Sequence, residues 1–180
     1  MSGKEMGTIT RMKWIAISGS WEKTNEQVES DVRREIRRII GEGNGIVTGG
    51  ALGVDYVATD EAIKNNPGLD KLKIFLPVTL VLYAKHYRKR AQEGVITSDQ
   101  AEMLIAQLKE VQKRNPSAIN ENKTYTVVNI RTYYERNTAV IKASDELNAF
   151  QVNKSGGVQD TIDKAKEEGI PVKLFSYTIE

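Results

Sequence analysis

Three short segments concentrate the residue types that hold phosphate groups. In Thr48-Gly49-Gly50-Ala51-Leu52-Gly53-Val54-Asp55 the glycines allow close approach of the backbone to an anion. Free N–H groups and the positive end of a following helix would favour negative charge there. The segment is neither a G-x-G-x-x-G fingerprint nor a Walker A loop, because no Gly-Lys-Ser/Thr follows. A plain tight turn, with Asp55 capping a helix, fits the same letters. A second turn, Ser155-Gly156-Gly157, opens a segment containing Asp160, Thr161 and Asp163, and Gly19-Ser20 supplies a third candidate edge. Arg136-Asn137 completes the set: a guanidinium offers a planar fork to phosphate, and an asparagine can hold a base edge or the backbone. An ordinary solvated pair would look the same.

Composition narrows the remaining chemistry. The 180-residue chain has no cysteine, which removes disulfides, thiolate metal sites and cysteine nucleophiles. His86 is the one histidine, so no multi-histidine metal site can form. It also lacks a G-x-S-x-G elbow to serve as its nucleophile. With 26 basic and 24 acidic residues the net charge is +2, too small to argue for nucleic acid by itself. Local basic segments exist: Tyr83-Ala84-Lys85-His86-Tyr87-Arg88-Lys89-Arg90 mixes cations with aromatics, as suits phosphates plus base stacking. It equally suits a solvated helix face. Arg33, Arg34, Arg37 and Arg38 are diluted by Glu29, Asp31 and Glu35 and are taken as surface. The longest nearly apolar run, Ile74 to Ala84, is far short of the ~20 residues of a membrane span. No membrane segment and no secretory signal are expected, and the cytoplasm is the expected location.

These segments need a frame, and the apolar pattern supplies one. Short apolar runs at 13–18, 46–48, 72–76, 125–128, 147–152 and 171–175 have the length of buried strands. Between them lie helical segments at 24–40, 53–65, 82–92, 98–113, 132–143 and 157–168. In the first, Thr24 and Gln27 resemble a capping box, and Val28, Val32, Ile36, Ile39 and Ile40 form one face. Alternating strands and helices imply an α/β class with a doubly wound, mostly parallel Rossmann-like sheet and helices on both faces. Residues 1–12 are expected to be a flexible arm and 13–180 a single domain carrying a helical insertion at about 77–122. The stripe Ala101, Leu104, Leu108 and Val111 packs within the domain or forms an oligomer interface.

Together, the glycine turns and the Arg-Asn pair resemble the Rossmann-like superfamily that joins the DNA-processing A (Smf) proteins with the Lonely Guy phosphoribohydrolases. The resemblance covers roughly residues 13–66 and 131–176. Its elements are Gly19-Ser20, then Gly-Gly-Ala-x-Gly-x-Asp from Gly49 to Asp55, then Arg136-Asn137 with Ser144, and last Ser155-Gly156 ahead of Thr161 and Ala165. It implies that the loops converge on one crevice for nucleotide phosphates or nucleic-acid backbone. Gly19, Ser20, Thr48, Gly49, Gly50, Gly53, Asp55, Arg136, Asn137, Ser155, Gly156, Gly157 and Thr161 would line it. The DNA-processing branch is the closer match, and implies binding of a nucleotide or single-stranded nucleic acid without turnover. The phosphoribohydrolase branch implies cleavage of an N-glycosidic bond in a nucleoside 5′-monophosphate, with Arg136 and Asp163 as catalytic residues. Its Pro-Gly-Gly-x-Gly-Thr-x-x-Glu pattern is altered here: Ser155 replaces the proline, Gln159 the third glycine, Asp160 the threonine and Asp163 the glutamate. No cofactor is required. Asp55, Asp160 and Asp163 are carboxylates through which Mg²⁺ could accompany a nucleotide.

Overall fold

The computed structural model describes residues 10–180. Most of the arm expected at 1–12 lies outside the described residues. Six parallel strands form one sheet: β1 Trp14–Gly19, β2 Gly45–Thr48, β3 Leu72–Phe75, β4 Ile119–Asn120, β5 Glu146–Val152 and β6 Val172–Tyr177. Their order is β4-β3-β2-β1-β5-β6. The chain therefore builds outward from β1 in one direction, then returns to β1's other side with β5. Ligands bind at such a reversal, beyond the carboxyl ends of the strands. The β1–β5 register runs from Ile15 opposite Glu146 to Gly19 opposite Phe150, which sets the loops after these two strands side by side.

Helices α1 Glu26–Gly41 and α2 Val54–Asn65 cover one face, and α5 Ile130–Lys142 and α6 Gly156–Glu167 cover the other. Strand alternation sorts the two cores: Ile15 and Ile17 face α1 and α2, whereas Ala16 faces α5 and α6. Val28, Val32, Ile36 and Ile39 of α1 are wholly buried. Each such side chain contributes about 1.5–3 kcal/mol by burial. The α1 cap is Asn25, whose side chain accepts from the Val28 N–H, rather than the expected Thr24. The Thr24 hydroxyl instead donates to Glu29 Oε1.

Between β3 and α5 lie α3 Leu80–Gln92, α4 Ser98–Arg114, a 3-10 turn at Pro116–Ala118 and β4. The segment thus returns to the sheet instead of standing apart as helices alone. The stripe Ala101, Leu104, Leu108 and Val111 is buried within this chain. The strand expected at Tyr125–Val128 does not form. The adjoining edge of β3 is already taken by Ile119 and Asn120. Its residues instead lead into the cap of α5, where the Thr132 hydroxyl donates to the Val127 carbonyl and Asn129 and Thr132 form a capping box.

Candidate phosphate-binding cavity

Beyond the carboxyl ends of β1, β2 and β5 lies a cavity of about 700 Å³. That is in the range of ~300–1,000 Å³ typical of small-molecule sites. Gly19, Ser20, Gly49, Asp55, Arg136, Asn137, Ser155, Gly156, Gly157 and Thr161 all line it. Thr48, Gly50, Gly53 and Asp163 are not on its wall. Thr48 is fully buried at the end of β2. Gly50 lies behind the loop, where its carbonyl accepts from the Tyr83 hydroxyl. Asp163 is exposed and accepts from Gln159 Nε2.

The first glycine turn is tied to the protein itself. The Gly49 and Ala51 N–H groups both donate to Asp55 Oδ2, at 3.1 and 3.2 Å, and the Val54 N–H donates to the Ser20 carbonyl. Donors expected to face a ligand are therefore already occupied. Gly53 has φ +70°, and a Cβ there would sit 2.2 Å from the Ser20 carbonyl oxygen, so only glycine fits this crossing. Gly49 makes room for a side chain instead: a Cβ there would lie 2.4 Å from Arg136 Nη1, and the guanidinium would have to shift. The Arg136 guanidinium packs on the loop, donating through Nη1 to the Gly49 carbonyl and through Nε to Asn137 Oδ1. Asn137 passes the connection on, with Nδ2 3.0 Å from Asp160 Oδ2, and Lys164 holds the same carboxylate. Burial pushes the Asp55 carboxyl up to about 6, although the nearby Arg136 charge and the Ala51 and Gly49 N–H groups oppose this.

The second turn is the opposite case. At the start of α6 the N–H groups of Gly156, Gly157 and Val158 meet no acceptor among the described residues, and Ser155 provides no side-chain cap. All three residues line the cavity. The Ser155 Oγ is buried and without a hydrogen-bond partner. A Cβ on Gly156 or Gly157 would meet nothing within 4 Å, so packing does not explain these glycines. Unsatisfied N–H groups at a helix start, with the helix dipole behind them, are suited to an anion. Thr161 lines the floor, but its hydroxyl donates to the Gly157 carbonyl.

Other wall residues escaped the sequence reading. Trp21 and Glu22 follow Gly19-Ser20 directly, and Tyr133 and Tyr134 precede Arg136. The Tyr133 ring lies 5.3 Å from the Arg136 guanidinium carbon, and Lys164 Nζ lies 5.0 Å from the Tyr134 ring. Proximity in sequence to the motif residues was the available signal. The Tyr83–Arg90 segment divides: His86, Tyr87 and Arg90 face the cavity, while Arg88 pairs with Glu102 and Lys89 with Glu93 outside it. Burial, followed by the Arg90 charge, lowers the His86 pKa, which favours the neutral ring near the Tyr133 hydroxyl. Among the described residues no cluster of three or more histidine or acidic side chains forms a metal site, and no helix is long and apolar enough to cross a membrane.

No family model matches the sequence, and no curated protein matches it. Solved structures do match. DNA processing protein A from Helicobacter pylori, described for its single-stranded DNA binding mode, aligns with a TM-score of 0.64 and 20% identity over 90% of this chain and 64% of that one. DNA processing protein A from Streptococcus pneumoniae gives 0.60 and 16% over 91% and 50%. A molybdenum cofactor binding protein from the phototrophic bacterium Rippkaea orientalis gives 0.57 and 18% over 92% and 77%. At these identities the likeness is one of fold, and this chain spans between half and two thirds of the two DNA processing proteins. The resemblance read from the glycine turns and the Arg-Asn pair is thus met in three dimensions: the chain has the Rossmann-like fold found in DNA processing protein A.

Proposed function

We propose that the protein binds nucleotides or single-stranded nucleic acid through phosphate, held between the start of α6 and Arg136. One observation carries this reading: three unclaimed N–H groups at the start of α6 belong to residues that line a cavity shared with Arg136. The structural likeness to a protein described as binding single-stranded DNA agrees with it.

Binding without turnover is favoured by the state of the carboxylates. Asp55 is buried beneath two backbone amides, Asp160 is engaged by Asn137 and Lys164, and Asp163 is exposed off the cavity wall. Titration calorimetry with nucleoside monophosphates and with a single-stranded oligonucleotide tests the reading. Binding that Arg136→Ala weakens is the expected result, and its absence for every ligand would refute it. Salt dependence separates the partners, since a single strand should give a slope of about −0.7 per phosphate neutralised and a mononucleotide much less.

Glu22 supports a second reading. It is exposed on the cavity wall and has no hydrogen bond or ion pair among the described residues. It is a better-placed acid than Asp163 for cleaving an N-glycosidic bond. Release of free base from a monophosphate, abolished in Glu22→Gln, would establish that reaction. Chromatograms without free base would exclude it for the monophosphates tested.

A further inference from the structure

Exposed apolar side chains are ordinary when scattered singly, whereas several around one opening mark a surface that something covers. Among the described residues seven large apolar side chains are exposed, and three of them, Trp21, Val95 and Ile130, line the cavity that holds Arg136 and the start of α6. They come from separate segments: the loop after β1, the loop between α3 and α4, and the first turn of α5. Only the fold brings them to one opening. Ile96, Val128 and Tyr133, each partly buried, continue the apolar wall.

Trp21 is the flat member of the exposed set, and its backbone is fixed. The Ser20 carbonyl accepts from the Val54 N–H at 3.0 Å and the Ser20 hydroxyl accepts from the Lys23 N–H at 3.1 Å. The Trp21 Cα itself packs on Gly53, where a Cβ would come within 2.8 Å of it. Yet Trp21 remains 47% exposed. Gly53 closes the loop whose other end, Gly49, carries the Arg136 guanidinium. Even fully extended, the chain from Gly49 to Gly53 spans at most about 14 Å, and the Gly49 and Ala51 N–H bonds to Asp55 draw it in. Indole and guanidinium therefore stand at the two ends of one short loop and line one cavity.

Accepting the phosphate reading above, we propose that Trp21 is the stacking platform for the base of the nucleotide whose phosphate is held by Arg136 and the α6 amides. An indole face stacks on a base of any identity, and the aliphatic Val95 and Ile130 offer apolar surface that shields it from water. A sugar phosphate without a base would ask for hydrogen-bonding partners that these aliphatic side chains lack. The same pairing of base and phosphate occurs in a free nucleotide and in each unit of a single strand.

Calorimetry and intrinsic tryptophan fluorescence on the full chain test this with 2′-deoxyadenosine 5′-monophosphate and 2-deoxyribose 5-phosphate. The chain's other tryptophan, Trp14, opens β1 at the amino end of the sheet, with Lys73 Nζ 3.9 Å from its ring, so quenching in the cavity reports Trp21. The nucleotide should quench the fluorescence and bind about fivefold or more tighter than the sugar phosphate, as one stacked base implies. Trp21→Ala should remove that advantage and leave sugar phosphate affinity within about twofold, whereas Trp21→Phe, which keeps a ring, should retain most of it. Nucleotide binding that leaves the wild-type fluorescence unchanged overturns the proposal without any variant, as does a Trp21→Ala loss that is the same for both ligands. Binding of a ten-residue oligodeoxyadenylate that falls in Trp21→Ala supports a strand as the source. Oligonucleotide binding insensitive to Trp21, alongside a sensitive mononucleotide, supports the free nucleotide. Equal wild-type affinity for nucleotide and sugar phosphate sinks this inference alone, whereas absence of all binding sinks the phosphate reading with it.

Discussion

The two glycine turns look alike on paper and do opposite things in space. The loop from Gly49 to Asp55 turns its donors inward, onto the Asp55 carboxylate, and uses its glycines to admit Arg136 and to cross Ser20. The turn at Ser155–Gly157 leaves its donors unclaimed and its glycines in open space. A glycine shows that something comes close to the backbone. Whether that something is the protein or a ligand is decided by the neighbours. Here one turn grips a side chain, and the other leaves its amides unclaimed.

The contrast can be broken at several points. Gly53→Ala should have the largest effect, because it combines a left-handed backbone with a collision against the Ser20 carbonyl. A loss of about 3 kcal/mol or more is expected in urea unfolding. Next is Asp55, whose folded pKa of about 6 stands above its ordinary value of 3.8. The unfolded chain binds fewer protons between these values, so Asp55 should make the protein lose stability as pH rises from about 4 through 6. The shift corresponds to at most about 3 kcal/mol, and Asp55→Asn should flatten that part of the pH profile.

Gly49→Ala should displace the guanidinium and weaken phosphate binding by about tenfold to a hundredfold at modest cost in stability. Calorimetry alongside a thermal melt separates the two effects. The smallest change in stability is expected at the second turn. Gly157→Ala meets no obstacle and should leave the melting temperature unchanged or raise stability by up to about 1 kcal/mol. A loss of affinity in this variant would support the role of the α6 end. Unchanged affinity would mean that the two turns differ only in packing.

Much of this frame was legible from apolar runs and their spacing. Ile46-Val47-Thr48 is buried on both sides and carries no alternation, as a central parallel strand should. The α1 face was written in Val28, Val32, Ile36 and Ile39. β4 was not, since Ile119 and Asn120 are too few to show a period. Tyr125–Val128 has strand composition, but the β3 edge is already held by Ile119 and Asn120. Composition records what a segment can do, and pairing depends on which edges remain.

The site was legible at its motif residues and opaque elsewhere. Hydrogen-bond direction has no letter, so the occupied amides of Gly49 and Ala51 could not be told from the unclaimed ones of Gly156 and Gly157. Arg90 and Trp21 reach the cavity only because α3 and the β1 loop fold toward it. Lys89, next to Arg90 in sequence, is not on its wall.

The Tyr83 hydroxyl, 3.1 Å from the Gly50 carbonyl, has a consequence for how this domain can be altered. The same α3–α4 segment sets Leu108 behind Gly50 and binds the Tyr56 carbonyl through Gln107. It therefore cannot be treated as a detachable cassette. A shortened chain running directly from β3 to α5 would keep five strands and lose both the brace behind the first turn and the wall that carries Arg90.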